Sequence, residues 1–225
     1  MPDIKKKKKA LAPAEMLRFF SELGILKKVP RTGWLWRNIP DCESIADHCF
    51  RVNLIAMFLC DMANVSSVGA KKRFDAGKVM RMAILHEIAE CRVGDIPYPA
   101  LKYIGSDRKK KAESEAVSDM MTIFAGASGV DYTAIWNEFE EARSAEAKLV
   151  KAADKIEMLL QALEYERAGA ATLGDFWRNR ETRSQIAFTP ELESIYDALH
   201  EMHKKAAPDC QGKNTGIAAA GKRKK

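Results

Sequence analysis

An all-α fold is predicted for this chain, a compact bundle of roughly seven to nine helices. Three observations predict it. Apolar residues recur at helical spacing in one segment after another, no segment alternates with a period of two, and Ser, Pro and Gly stand where helices begin and end. With 225 residues, 47% of them hydrophobic, the chain can bury the core of a single domain, expected over residues 13–207.

The elements follow in order. Residues 1–12 read as a basic, disordered tail. From Pro13, the residues Met16, Leu17, Phe19, Phe20 and Leu23 keep helical spacing, and Gly24 closes that helix. Residues 27–41 (KKVPRTGWLWRNIPD) form an irregular loop whose tryptophans and arginines suit a binding element. Ser44 and Asp47 make a capping box, with Asp in the Glu/Gln place, and open a helix through Val52, Leu54, Ile55, Met57, Phe58 and Leu59 towards Met62. A polar connection over 63–75 leads to a second apolar helix, which starts near Ala76, carries Val79, Met82, Ala83, Leu85 and Ile88, and breaks at Gly94. Residues 107–126 and 131–142 read as amphipathic helices, and Ser144 to Ala168 as a long one. Pro190 opens a last helix that ends near Lys205, and residues 208–225 read as a Gly/Ala/Lys-rich basic tail.

The net charge of +6 belongs to the two tails. Each carries +4, which leaves about −2 for the body between them. A body so close to neutral argues against ordinary nucleic-acid binding, and leaves RNA contact or nuclear import to the Lys runs alone. No apolar run approaches the roughly 18 residues of a membrane span, and no apolar core follows the charged N-terminus, so neither a span nor a secretory signal is expected. The five cysteines form no CxxC pair and read as free thiols of a reducing compartment, with cytoplasm the default location and nucleus or organelle left open by the Lys runs. There is no GxGxxG, Walker loop, GxSxG or internal repeat.

Chemistry concentrates in LHEIAECRVGDIPY, residues 85–98, where His86, Glu87, Glu90 and Asp95 fall within ten positions. His86 and Glu90, four apart, would share one helix face, with Glu87 turned about 100° away. The start of HExxH is present, but position 90 is Glu, so the zincin reading fails. The remaining histidines are His48, early in its helix, and His200 and His203 on a polar last helix. Asp154 lies among Ala153, Ile156 and Leu159, where a carboxylate needs compensation, either from a metal or from Lys151 or Lys155.

The order His48, His86 followed by an acid, then Asp154 resembles the H…HD…D pattern of HD-domain metal-dependent phosphohydrolases. RTGWLWRN, ESIADH, LHEIAECRVGDIP, SAEAKLVKAADKIEMLLQALEYE and LGDFW extend the resemblance, over about residues 14–200, to the HD domain-containing protein 2 group of 5′-deoxynucleotidases. The resemblance implies an all-helical domain with one divalent metal (Mn, Co, Zn or Fe) held by His48, His86, Glu87 and Asp154, a mixed N/O set. It implies Glu90 as catalytic acid/base and Asp95 as a second site acid that contacts substrate or aids the leaving 5′-oxygen. Arg31 is then expected on the phosphate, Trp34 on base or sugar unless it is core, and Lys102 as a weaker phosphate contact. The substrate implied is a 2′-deoxyribonucleoside 5′-monophosphate, and the assembly a homodimer. The family has Asp where this chain has Glu87, one methylene longer. Glu87 would ligate in an adjusted geometry, reach the metal through water, or leave a catalytically impaired nucleotide-binding relative; ligation is the expectation, because the other site residues are intact.

Overall fold

A computed structural model describes residues 11–66, 73–171 and 173–211. They form twelve α-helices: α1 (Pro13–Leu23), α2 (Thr32–Leu35), α3 (Ile45–Ser66), α4 (Ala76–Leu85), α5 (Glu90–Val93), α6 (Leu101–Ile104), α7 (Ser106–Met121), α8 (Tyr132–Glu140), α9 (Ala145–Arg167), α10 (Gly174–Arg178), α11 (Arg180–Ile186) and α12 (Pro190–Gln211). Eight of these have seven residues or more, within the expected seven to nine; the other four are single turns, too short to show a period. No strand forms among the described residues, and one isolated bridge joins Pro30 to Ser44.

Local chemistry sets the ends. Pro13 opens α1, where its missing N–H costs nothing. The capping box before α3 is made in both directions: Asp47 N donates to Ser44 Oγ at 3.2 Å, and Ser44 N donates to Asp47 Oδ2 at 3.0 Å. Asp75 accepts from Lys78 N at 3.0 Å to cap α4, and Asp131 accepts from Ala134 N at 2.9 Å to cap α8. α12 runs on to Gln211, into the stretch assigned to the C-terminal tail. The rest of that tail, and the N-terminal one up to residue 10, lie outside the described residues, as do 67–72 of the polar connection.

The chain divides into two compact units, the first ending at Asp154 and the second starting at Lys155. In the first, α3 packs along α4, α8 against α4 and α7, and α5 against α7. Its core includes Phe19, Leu85, Ile88, Val117, Met120 and Trp136. In the second, α11 packs on α12, and Leu159, Leu163, Leu173, Ile186 and Leu199 are buried. Trp177 stacks on His203 with ring centroids 4.2 Å apart and meets His200 edge-on at 5.3 Å. Glu166 accepts from Trp177 Nε1 at 3.0 Å and bonds His203 Nδ1 at 2.8 Å.

Candidate metal centre

The expected continuous helix up to Gly94 is interrupted where the chemistry lies. His86 turns its Nδ1 onto the Ala83 carbonyl at 2.7 Å, and Asn53 Nδ2 reaches the same oxygen at 3.4 Å. In a regular helix that carbonyl serves the amide of residue 87. Through this stretch the bonds tighten to three-residue spacing: Ile88 N to Leu85 O, Glu90 N to Glu87 O and Cys91 N to Ile88 O, at 3.0–3.2 Å. With about three residues per turn, positions three apart eclipse. Glu87 therefore lines up with Glu90, whereas regular winding would have lined up His86 with Glu90.

The Nδ1 bond also fixes the ring. A carbonyl can only accept, so Nδ1 carries the proton and Nε2 presents its lone pair. That Nε2 faces His48 Nε2, contributed by the first turn of α3, at 3.4 Å. Asp154 Oδ1, from α9, lies 3.4 Å from the same His48 atom. All three residues are buried, and together they form a group able to hold a metal ion. Burial holds His86 in its neutral form, the form that ligates, against the pull of the Glu87 carboxylate. Two converging imidazole nitrogens and a carboxylate oxygen on buried backbone fit a divalent ion of the Mn, Co, Zn or Fe class.

Glu87 stands beside this group, outside it. Its Oε1 is 3.9 Å from His86 Nε2 and accepts from the Arg31 guanidinium at 3.1 Å. Burial pushes its carboxyl up, but the Arg31 guanidinium paired with it outweighs that and holds it well below the ordinary range. Arg31 is the cation at the centre of four acids: Glu87, Asp95, Asp154 and Glu90.

Glu90 is buried, and its Oε2 has no hydrogen-bond partner. Burial, with the charges of Glu87 and Asp95, pushes its carboxyl up to about 10. An orphaned buried carboxyl oxygen is costly and marks a place built for a partner. Asp95 follows Gly94, whose φ of +70° is a turn that suits only glycine. Asp95 Oδ2 accepts from Thr32 N at 2.7 Å and its carbonyl accepts from Thr32 Oγ1 at 3.1 Å, so it pins the Arg31 loop to the site.

Trp34 takes the core position that the sequence left open for it. It is 3% exposed and donates Nε1 to Glu43 at 2.8 Å, while Trp36 is 59% exposed. Lys102 lies out on the surface, its ammonium 5.7 Å from the Tyr103 ring. The cation that sequence reasoning missed is Lys109 on α7. It pairs with the buried Glu113 one turn on, and both Glu87 and Glu90 act on it electrostatically. Within the run RKKKAESE the pair reads as a surface i,i+4 bridge; only the packing of α7 on α5 distinguishes it. Lys151 sits 4.2 Å over the Phe139 ring, whose edge meets His86 at 5.6 Å.

The HD domain family model matches residues 23–196. The chain is 32% identical over 197 residues to 5′-deoxynucleotidase HDDC2 of Xenopus laevis, covering 87% of this chain and 90% of that protein. It is 39% identical over 153 residues to the Mus musculus protein of the same name, covering 68% and 71%. A solved structure of a conserved hypothetical protein from Pyrococcus furiosus superposes with a TM-score of 0.70 at 31% identity, covering 82% of this chain and 99% of that one. The family model spans His48, His86 and Asp154, and with these relatives it shows that the chain belongs to the HD domain family.

Proposed function

We propose that this protein is a metal-dependent phosphohydrolase that releases phosphate from 2′-deoxyribonucleoside 5′-monophosphates. The observation that carries the reading is the convergence of His48, His86 and Asp154 next to a buried, unpartnered Glu90 oxygen. The names of the relatives from Xenopus laevis and Mus musculus support the substrate class.

His48, His86 and Asp154 would hold the ion, with Glu87 as fourth ligand on a small rotation away from Arg31. A divalent ion bound there supplies Lewis-acid polarisation of the phosphate and lowers the pKa of water. Glu90 orients the attacking water, takes its proton and can return that proton to the leaving 5′-oxygen. Arg31 and Lys109 are the cations placed for phosphate oxygens, with Lys102 further out as a rim contact. Asp95 holds the Arg31 loop in register and offers its carboxylate to the sugar side of the substrate. The protein is read as a homodimer. The free thiols of all four described cysteines support a reducing compartment, the cytoplasm.

One observation favours a second reading, a nucleotide-binding relative without turnover: Glu87 engages Arg31 and stands outside the ligand group. A panel of deoxy- and ribonucleoside 5′-monophosphates, run with Mn, Co, Zn and Mg on wild type and Glu87→Asp, separates the two. Phosphate release from the deoxy substrates supports the enzyme. Nucleotide binding with no release by either protein supports the second reading.

A further inference from the structure

Two ion pairs of the same spacing follow each other on α7, and their surroundings differ. Lys111 and Glu115 keep 76% and 70% of their side chains exposed, and their charges stand 3.8 Å apart. Lys109 and Glu113 are 24% and 8% exposed, and the ammonium donates directly to Glu113 Oε1. The first is a solvated surface pair of the kind that contributes little. Helix stability does not explain the second. Lysine stands N-terminal to glutamate, the less favourable order, and Glu113 lies on the core-facing stripe with Val117, Met120 and Met121, where a carboxylate is costly. Burial pushes that carboxyl up, against the pull of Lys109.

Position supplies the reason. α7 packs on α5, which begins at Glu90, and the charges of Glu87 and Glu90 both act on Lys109. Arg31, the other cation of the centre, is already engaged by Glu87 at 3.1 Å. A phosphate monoester carries about −1.5 to −2 charge at neutral pH, more than one engaged guanidinium offsets. An ammonium has three donors, and Glu113 takes one of them, which leaves two for phosphate oxygens. A lysine stem is flexible, so anchoring it before the substrate arrives lowers the entropy lost on binding. We propose that Glu113 is a positioning residue for the substrate phosphate: from the buried face of α7 it holds Lys109 in place as the second phosphate cation of the site. The inference rests on the phosphohydrolase reading above, and adds to it a side chain that acts on the substrate only through Lys109.

Inorganic phosphate, titrated calorimetrically into the full chain loaded with Co²⁺, tests the proposal, with thermal melts to show that each variant is folded. Lys109→Ala is expected to weaken phosphate binding about 10- to 100-fold, the loss of a charge-assisted hydrogen bond. Glu113→Gln, which keeps the shape and removes the charge, is expected to weaken it about 10-fold and to raise KM for a deoxynucleoside 5′-monophosphate by the same factor. In the Lys109→Ala background Glu113→Gln is expected to add no further loss, since the two act as one unit. Glu115→Gln, in the exposed pair, should bind phosphate as wild type does. If Glu113→Gln folds poorly, Glu113→Asp carries the same expectation, because a carboxylate one methylene shorter draws the ammonium back. Wild-type affinity in these Glu113 variants, or an equal further loss in the Lys109→Ala background, overturns the role of Glu113 and leaves the phosphohydrolase reading standing. A wild type that neither binds phosphate nor releases it from deoxynucleotides overturns that reading and this inference with it.

Discussion

Two regions of this molecule pair histidines with acids, and only one of them is built to hold an ion. His48 and His86 come from separate elements and point their Nε2 atoms at each other, with Asp154 beside them and the Glu90 oxygen unspent. His200 and His203 sit three apart on α12, and their rings are used up in stacking: His203 lies flat on Trp177 and bonds Glu166, and His200 packs between Trp177 and Tyr196. The difference teaches that residue type and spacing do not define a metal site. Converging lone pairs and unsatisfied acceptors do.

The sharpest way to break the comparison is to remove one member of the first pair. His86→Ala or Asp154→Ala should weaken metal binding more than about 100-fold, beyond what loss of an outer partner costs, and abolish phosphate release. Metal analysis after gel filtration checks this. Next in size is Glu90→Gln, which should lower kcat by about 10²–10⁴ with metal binding retained. The same change should stabilise the metal-free protein. The Glu90 carboxyl titrates near 10 when folded and near 4.5 in its ordinary state, so the folded chain keeps a proton that the unfolded chain releases. Its contribution is fully present below pH 4.5 and falls away as pH rises towards 10, so at pH 7 it is a liability. Thermal melts in chelator should show Glu90→Gln a few degrees more stable at pH 7 and indistinguishable from wild type at pH 4.

Glu87→Asp should raise turnover by up to about 100-fold, because a shorter carboxylate is freed from Arg31 and meets the ion without folding back. An unchanged or lower rate would place Glu87 outside the ligand set. In the other region, Trp177→Ala should cost about 3–5 kcal/mol of stability, read by urea unfolding, with metal stoichiometry unaltered. The smallest effect is that of Asp47→Ala, about 1 kcal/mol for a lost cap. The Ser44 hydroxyl and amide hold the Asp47 carboxyl low, so this increment is fully present above its ordinary value of 3.8 and is lost as pH falls from there through the lowered folded value. Melts at pH 7 and pH 3 should show a smaller deficit for the variant at the lower pH.

Much of this was legible in the chain itself. Pro13, Gly24, the Ser44–Asp47 box and Gly94 mark boundaries by local chemistry, and the structure respects them. The order of His48, His86 and Asp154 also carried through into one cluster. What could not be read depends on contacts distant in sequence. The tightened winding at residues 86–90 arises because His86 and Asn53 take the Ala83 carbonyl. Lys109 is distinguished from its lysine neighbours only by where α7 packs. Nor could the apolar run of α3 say which of its residues face water: Val52, Ala56 and Cys60 are buried, and Phe50, Leu54, Phe58, Met62 and Val65 are exposed.

Titration of Co²⁺ into the metal-free chain, followed by its visible absorption, tests the central claim most directly. The account predicts one tight site per chain, lost in His86→Ala and unchanged in His203→Ala. Binding that persists in His86→Ala, or that disappears in His203→Ala, would contradict it.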